Sequence, residues 1–337
     1  GEPVYLSKKE VDDYIYTSAD EKRIQYYLGN IGKMKISLDR NNRKFTHDAK
    51  PRHLKIEEYE TIRQAFHKNR IKEGYTLPLL NLFELLPDGY KQKQFLYKPG
   101  DNMPPGISEG VIAKTRNIED RSVTLLKLNP ERHWGEIRKV KSLDTEYRQK
   151  KDMAIWRGAT TGDRKINGKR IDLVNRFFDH QHKFDVGFSI VLYENDSRFH
   201  LVKDNKTIKA QLRYKFLICI EGNDVASGLK WMLQSNSVVM MPRPTASSWL
   251  MEDTLEPFVH YIPLADDFSD AEELFDWAVS HEAECIEISN NASRFLSQFF
   301  DSRREVLLEC EVLKRYLCLL YTSDAADDSK RGGRAGG

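Results

Sequence analysis

Two short stretches of this chain carry residue types suited to gripping an anion. The first, Arg157-Gly158-Ala159-Thr160-Thr161-Gly162-Asp163-Arg164, combines glycines, hydroxyls and guanidinium groups. The second, Glu221-Gly222-Asn223-Asp224-Val225-Ala226-Ser227, is a polar turn running into Gly228, Leu229 and Lys230. Backbone N–H groups of a glycine-rich turn, and the forked donors of arginine, suit the oxygens of a diphosphate. The first stretch has the wrong spacing for a Walker P-loop. In the second, Asn223 and Asp224 are good helix N-caps, and a helix N-terminus is a natural seat for phosphate. Either stretch alone reads equally well as a solvated turn. Together, with Arg157, Arg164, Arg170 and Lys230 close by, they predict one nucleotide-diphosphate pocket.

Other chemistry-bearing residues read differently. His260 lies at a predicted strand start and reads as structural, and Trp249 reads as core. His133-Trp134 is either a packed pair or a platform for a sugar ring. Glu221 and Asp224 can simply cap the helix that follows. The chain offers no Ser-His-Asp order, no Asp-x-Asp motif at a strand end and no zinc spacing, so neither a metal nor a cofactor is expected.

Periodicity supplies the elements that must position these residues. Phe216–Ile220 is an apolar run bounded by charge, as expected of a strand buried on both faces. Val225–Gln234 has helical apolar spacing, and Ser237–Met241 is a second buried strand closed by Pro242 and Pro244. Upstream, Met153–Trp156 reads as a strand, the Arg157–Arg164 stretch as its exit loop, Arg170–Phe178 as a helix and Val186–Val191 as a strand. Downstream, Asp266–Val279 and Cys285–Phe300 read as helices. This alternation predicts a parallel α/β sheet, in which ligands sit beyond the carboxyl ends of strands. The first half is less regular. Helices are expected over Ala19–Leu28 and Ile56–Arg70, and Leu77–Leu86 is an apolar run. A hairpin is expected over Ile36–Phe45, with short strands at Gln94–Lys98, Val111–Lys114 and Thr124–Leu128. The polar helix Ser142–Lys151 reads as a hinge, dividing the chain into domains 1–141 and 142–317.

Bulk composition narrows the class. With 337 residues, 40% hydrophobic and 31% charged, the chain is a globular protein of two-domain size. Lys and Arg total 53 against 51 Asp and Glu, a balance that argues against a nucleic-acid partner. No apolar run is long enough to span a membrane. Cys219, Cys285, Cys310 and Cys318 show no Cys-x-x-Cys pairing and read as reduced thiols. Gly1 is not an initiator Met, which leaves room for an upstream segment. Cys318 to Asp327 is similar to a translated sequencing adapter, so 318–337 is expected to be a non-native tail.

Three segments resemble glycosyltransferase family 90: WRGATTGDRKINGKR (156–170), KFLICIEGNDVASGLKWMLQSNSVVMMPRP (215–244) and SWLMEDTLEPFVHYIPLADDFSD (248–270). The resemblance spans about 152–293 and looks most like the bacterial lipopolysaccharide or capsule branch. It implies a GT-B architecture, two Rossmann-like domains with a cleft between them, the second holding a UDP-sugar. It also implies inversion at the anomeric carbon without a metal. Carried over by position, it puts Arg157, Gly158, Ala159, Thr160, Gly222, Ala226, Ser227 and Lys230 at the donor site, joined by Arg164, Asn223 and Asp224 from the turns themselves. The family's catalytic carboxylate follows a Leu-Pro-Asp turn and a strand. Leu86-Pro87-Asp88 and Gln94–Lys98 therefore imply Asp101 as the base. Two departures stand out: Gly228 replaces an Arg of eukaryotic relatives, and Ser247-Ser248 stand where the bacterial branch often carries an acid. The expected protein is cytoplasmic, peripheral at the inner membrane, and extends a glycan or lipid-linked oligosaccharide. Protein O-glycosylation and a non-catalytic nucleotide-sugar or glycan-binding module are the alternatives.

Overall fold

The computed structural model describes residues 4–34, 36, 44–46, 60–69, 71–101, 109–162, 168–192, 194 and 196–332. The chain divides into two compact units, one of residues 1–130 with 299–337 and one of residues 131–298. This division precedes the expected one at 141/142, and it returns the last segment of the chain to the first unit.

The first unit opens with helices α1 (Lys8–Asp13) and α2 (Ser18–Leu28). Both start with reciprocal capping boxes, Ser7 with Glu10 and Thr17 with Asp20. Then follow β1 (Lys44–Thr46), β2 (Glu60–Thr61), α3 (Ile62–His67), α4 (Glu73–Leu85), β3 (Phe95–Lys98), β4 (Val111–Ala113), β5 (Thr115–Asn117) and β6 (Thr124–Leu125). A five-stranded sheet has the order β2-β1-β3-β4-β6. Only the β1/β3 pair is antiparallel. The expected hairpin over 36–45 and the start of the helix expected over 56–70 fall largely outside the described residues.

The second unit contains α5 (Pro130–Trp134), α6 (Ile137–Leu143), β7 (Lys151–Ala159), α7 (Lys169–Phe177), β8 (Phe184–Ile190), α8 (Ile208–Gln211) and β9 (Tyr214–Ile218). After these come α9 (Leu229–Gln234), β10 (Val238–Pro242), β11 (Ala246–Ser248), β12 (Ile262–Leu264), α10 (Ala271–Ser280) and α11 (Glu282–Ser297). Its main sheet is parallel throughout, in the order β12-β10-β9-β7-β8. Counted along the chain this is the 2-1-3-4-5 order of a doubly wound fold, with the switch point between β7 and β9. Trp156, Phe184, Phe188, Phe216, Val238 and Met240 fill one continuous core, which is why these strands are apolar runs rather than alternating ones.

Three expectations need correction here. β7 continues through Ala159, so Arg157, Gly158 and Ala159 belong to a strand and the exit loop begins at Thr160. The helix expected from Val225 begins only at Leu229, and Gly228 at its N-cap supplies no side chain. Asn223 and Asp224 therefore do not cap it. The hinge helix expected over 142–151 is also absent; α6 ends at Leu143 and a single turn covers Tyr147–Gln149.

The final helix, α12 (Ser302–Gly332), is integral to the first unit and continues through the stretch read as a tail. Leu308, Leu313, Tyr316 and Leu317 on it are fully buried. Glu305 receives both Arg23 terminal nitrogens at 2.8 and 2.9 Å, and Arg304 donates to Asp20 at 2.6 Å. The Tyr316 hydroxyl accepts from the Leu96 N–H at 3.2 Å and donates to the Gly110 carbonyl at 2.6 Å, tying α12 to the sheet. All four cysteines are free thiols. Among the described residues no helix is long and apolar enough to cross a membrane.

Candidate functional site

At the switch point the exits of β7 and β9 lie side by side. Gly162, with φ at +88°, approaches so closely that a Cβ there would stand 2.8 Å from the Gly222 carbonyl oxygen. Only glycine combines that φ with that contact. The Gly162 N–H donates to Asn223 Oδ1 at 3.2 Å. Arg170, in the first turn of α7, fastens both exits from below. It donates to the carbonyls of Ala159 (3.0 Å), Ile220 (3.0 Å) and Glu221 (3.3 Å) and to Thr161 Oγ1 (2.7 Å), and lies over the Trp156 ring.

Beyond the carboxyl ends of β9 and β10 is a pocket open to solvent on one side. Val225, Ala226, Leu229, Met241, Pro242 and Pro244 give it an apolar wall, with Cys219 among them. Lys169 and Arg243 bring positive charge, and Glu221 and Glu252 are its carboxylates. Arg243 is exposed, and among the described residues it forms no ion pair. Lys169 pairs with the solvent-facing Asp266 at 2.7 Å.

The acids are committed to the backbone. Glu221 accepts the N–H groups of Thr245 (2.9 Å) and Ala246 (3.2 Å) and the Thr245 hydroxyl (2.5 Å). Burial nevertheless raises its carboxyl above the ordinary range. Glu252 accepts from Ser248 N–H and Oγ, each at 2.6 Å, and Asp253 accepts from Ser247 Oγ at 2.7 Å. Acids thus meet Ser247-Ser248 after all, from later in the chain. Burial pushes the Cys219 thiol up to about 12, which leaves it a poor nucleophile. Among the described residues no three His, Cys, Asp or Glu side chains converge as a metal site.

Of the residues singled out in the sequence, Gly222, Asn223, Asp224, Ala226 and Ser227 do lie together beyond β9, and Ala226 lines the pocket. Arg157 does not join them. Its side chain, 2% exposed, bonds Asp185 Oδ1 at 2.8 Å and the carbonyls of Asp204, Trp156 and Asp185, tying β7 to the edge strand β8. Gly158 and Ala159 pair with β8 as well. Thr160 is buried and its hydroxyl accepts from Leu192 N–H. Lys230 is buried 3.9 Å from Glu252, with its ammonium 5.2 Å from the centre of the Trp134 ring. Trp134 therefore covers a cation rather than offering a sugar platform, and His133 beside it is buried. Arg164 lies outside the described residues. His260 is structural: its Nδ1 accepts from Glu256 N–H and its ring packs on Phe295.

Lys169 and Arg243 escaped the sequence reading. The signal for Arg243 was present, since it is the first residue past a buried strand in a sheet whose ligands gather at carboxyl ends. In the first unit, Asp101 follows the carboxyl end of β3, 46% exposed, with its carboxylate 3.0 Å from the buried Lys114 ammonium.

A pocket with an apolar wall and cations beside it can hold a ring against the wall and phosphate oxygens against the cations. A sequence model described as "Glycosyl transferase family 90" matches residues 130–329. The O-glucosyltransferase LpsA of Dichelobacter nodosus is 31% identical over 266 residues, covering 77% of this chain and 78% of that protein. Protein O-glucosyltransferase 2 of Danio rerio is 32% identical over 83 residues, 25% of this chain and 16% of its own length. The uncharacterized protein 035R of Invertebrate iridescent virus 3 is 27% identical over 164 residues, 44% of this chain and 15% of its own.

Proposed function

This chain belongs to glycosyl transferase family 90, and from that membership we propose that it moves a sugar from a UDP-sugar to a hydroxyl of a cell-surface glycan, with inversion. The observation that carries the donor site is the pocket beyond β9 and β10, apolar on one wall, with Lys169 and Arg243 lining it. The acceptor is a lipopolysaccharide or capsule precursor, a lipid-linked oligosaccharide met at the inner face of the membrane by a peripheral, cytoplasmic enzyme. The two units act as the halves of a GT-B enzyme, with donor on the second and base on the first. Two named relatives are O-glucosyltransferases, so UDP-glucose is the first donor to try.

In the proposed step Asp101 takes the acceptor hydroxyl proton as that oxygen attacks the anomeric carbon. The bond from that carbon to the diphosphate breaks on the opposite face, and UDP leaves with its charge held by Arg243 and Lys169. No metal is invoked, in keeping with the family resemblance. A thermal-shift series with UDP, GDP, CMP and ADP, with and without EDTA, tests the donor site. Stabilisation by UDP alone, indifferent to EDTA, is expected; silence towards all four nucleotides overturns the site, and loss with EDTA overturns metal independence. Asp101→Asn is expected to lower transfer by about 10²-fold or more, as for loss of a general base, with UDP affinity within about threefold. Unchanged transfer would remove Asp101 from the chemistry.

A further inference from the structure

The segment that carries Arg243 out of β10 is tied down residue by residue. Thr245 and Ala246 bond Glu221, Ser247 bonds Asp253 and Ser248 bonds Glu252. Asp253 and Glu252 are close neighbours in sequence, so their bonds close local turns. Glu221 is different. It comes from the exit of β9, and its own carbonyl is held by Arg170 at 3.3 Å. Its carboxylate therefore reaches from a fixed backbone on one strand exit to two consecutive N–H groups on the next.

We propose that Glu221 is a positioning residue, whose carboxylate latches the exit of β10 so that the Arg243 guanidinium stands at the pocket to meet the donor diphosphate. This rests on the donor-site reading above. The link from latch to guanidinium is short and stiff. Only Pro244 separates Arg243 from Thr245, and Pro242 precedes it. Each proline fixes its own φ, and Pro244 also holds Arg243 in an extended backbone. Displacing the Thr245 amide consequently swings Arg243 rather than being absorbed between them. The Glu221 oxygens are already engaged by three donors, so the carboxylate serves the loop rather than a bound sugar.

The test is a double-mutant cycle on UDP affinity, read by calorimetry on the full chain. Arg243→Ala is expected to weaken UDP about tenfold, the scale of one charge-assisted bond, and Glu221→Ala about fivefold or more. The double variant should bind within about twofold of Arg243→Ala, because the latch has nothing left to position. Additive losses, or full affinity in Glu221→Ala, overturn the proposal. Hydrogen exchange without ligand gives a second readout. The Thr245 and Ala246 amides should exchange about tenfold faster in Glu221→Ala. Glu221→Gln, whose amide oxygen still accepts, should restore both protection and affinity; unaltered exchange in Glu221→Ala overturns the latch. If Arg243→Ala binds UDP as the parent does, the donor-site reading fails, while the exchange result still judges the latch. If Glu221→Ala does not fold, Thr245→Val replaces it, with a loss of about twofold that must vanish in the Arg243→Ala background; a loss that persists there overturns the proposal.

Discussion

Arg157 and Arg243 stand near the carboxyl ends of two strands of one sheet, yet they have opposite fates. Arg157 is still inside β7 and next to the edge strand, where Asp185 and three carbonyls engage its donors. Arg243 is one residue past β10, between prolines, exposed and in no ion pair among the described residues. The lesson is that an arginine near a phosphate-shaped turn is a ligand only if the fold leaves its donors open. A strand interior, with its neighbours' carbonyls and side chains close by, seldom does.

The largest effect should come from the engaged cation. Arg157→Ala takes the guanidinium from the half-buried Asp185, which keeps the Tyr214 hydroxyl at 2.8 Å and the Lys203 ammonium at 3.8 Å, and is expected to cost about 2 kcal/mol, the scale of a charge-assisted bond. Urea unfolding measures it, and UDP affinity of the folded fraction should stay within about twofold. A large loss of UDP binding at full stability would reverse the contrast with Arg243.

A second charge site sharpens the comparison. Burial on α12 raises the Glu309 carboxyl from 4.5 to about 8, so it is protonated in the folded protein near neutral pH. The unfolded chain ionises at the lower value. Stability is therefore complete below about pH 4.5 and is lost as the pH rises towards 8, by an amount on the order of a few kcal/mol. Glu309→Gln should flatten that stretch of the stability–pH curve. A curve unchanged by the substitution would show that burial does not hold the acid protonated.

The smallest effect should come from Lys169, whose ion pair with Asp266 is partly solvated. Lys169→Met is expected to weaken UDP about threefold with unfolding unchanged, since exposed pairs stabilise little. An effect equal to that of Arg243→Ala would make the two cations equivalent.

What the sequence revealed, and what it hid, follows from range. The strands around Ile155, Phe216 and Val238 were legible because strands buried on both faces must be apolar runs. The alternation of strand and helix gave the parallel sheet. Gly158 misled, because a glycine after an arginine looks like the start of a loop. In the fold it pairs with Phe188 of β8 and so stays in β7, and it must be glycine because a Cβ would lie 2.5 Å from the Trp156 ring. Asn223 misled in the same way: its side chain serves Gly162 from another strand exit instead of capping α9. The bonds of Glu221 to Thr245 and Ala246, and of Arg170 to Ile220, join residues far apart in sequence. No local pattern announces such pairs.

The return of α12 to the first unit has a consequence for the order of assembly. The second unit is one unbroken run of chain, so on the ribosome all its strands are available before α12 has been made. The first unit begins earlier but is completed later. Until the last segment emerges, Arg23 lacks Glu305, and the sheet lacks the Tyr316 hydroxyl that joins Leu96 to Gly110. The half synthesised first is thus the half that waits.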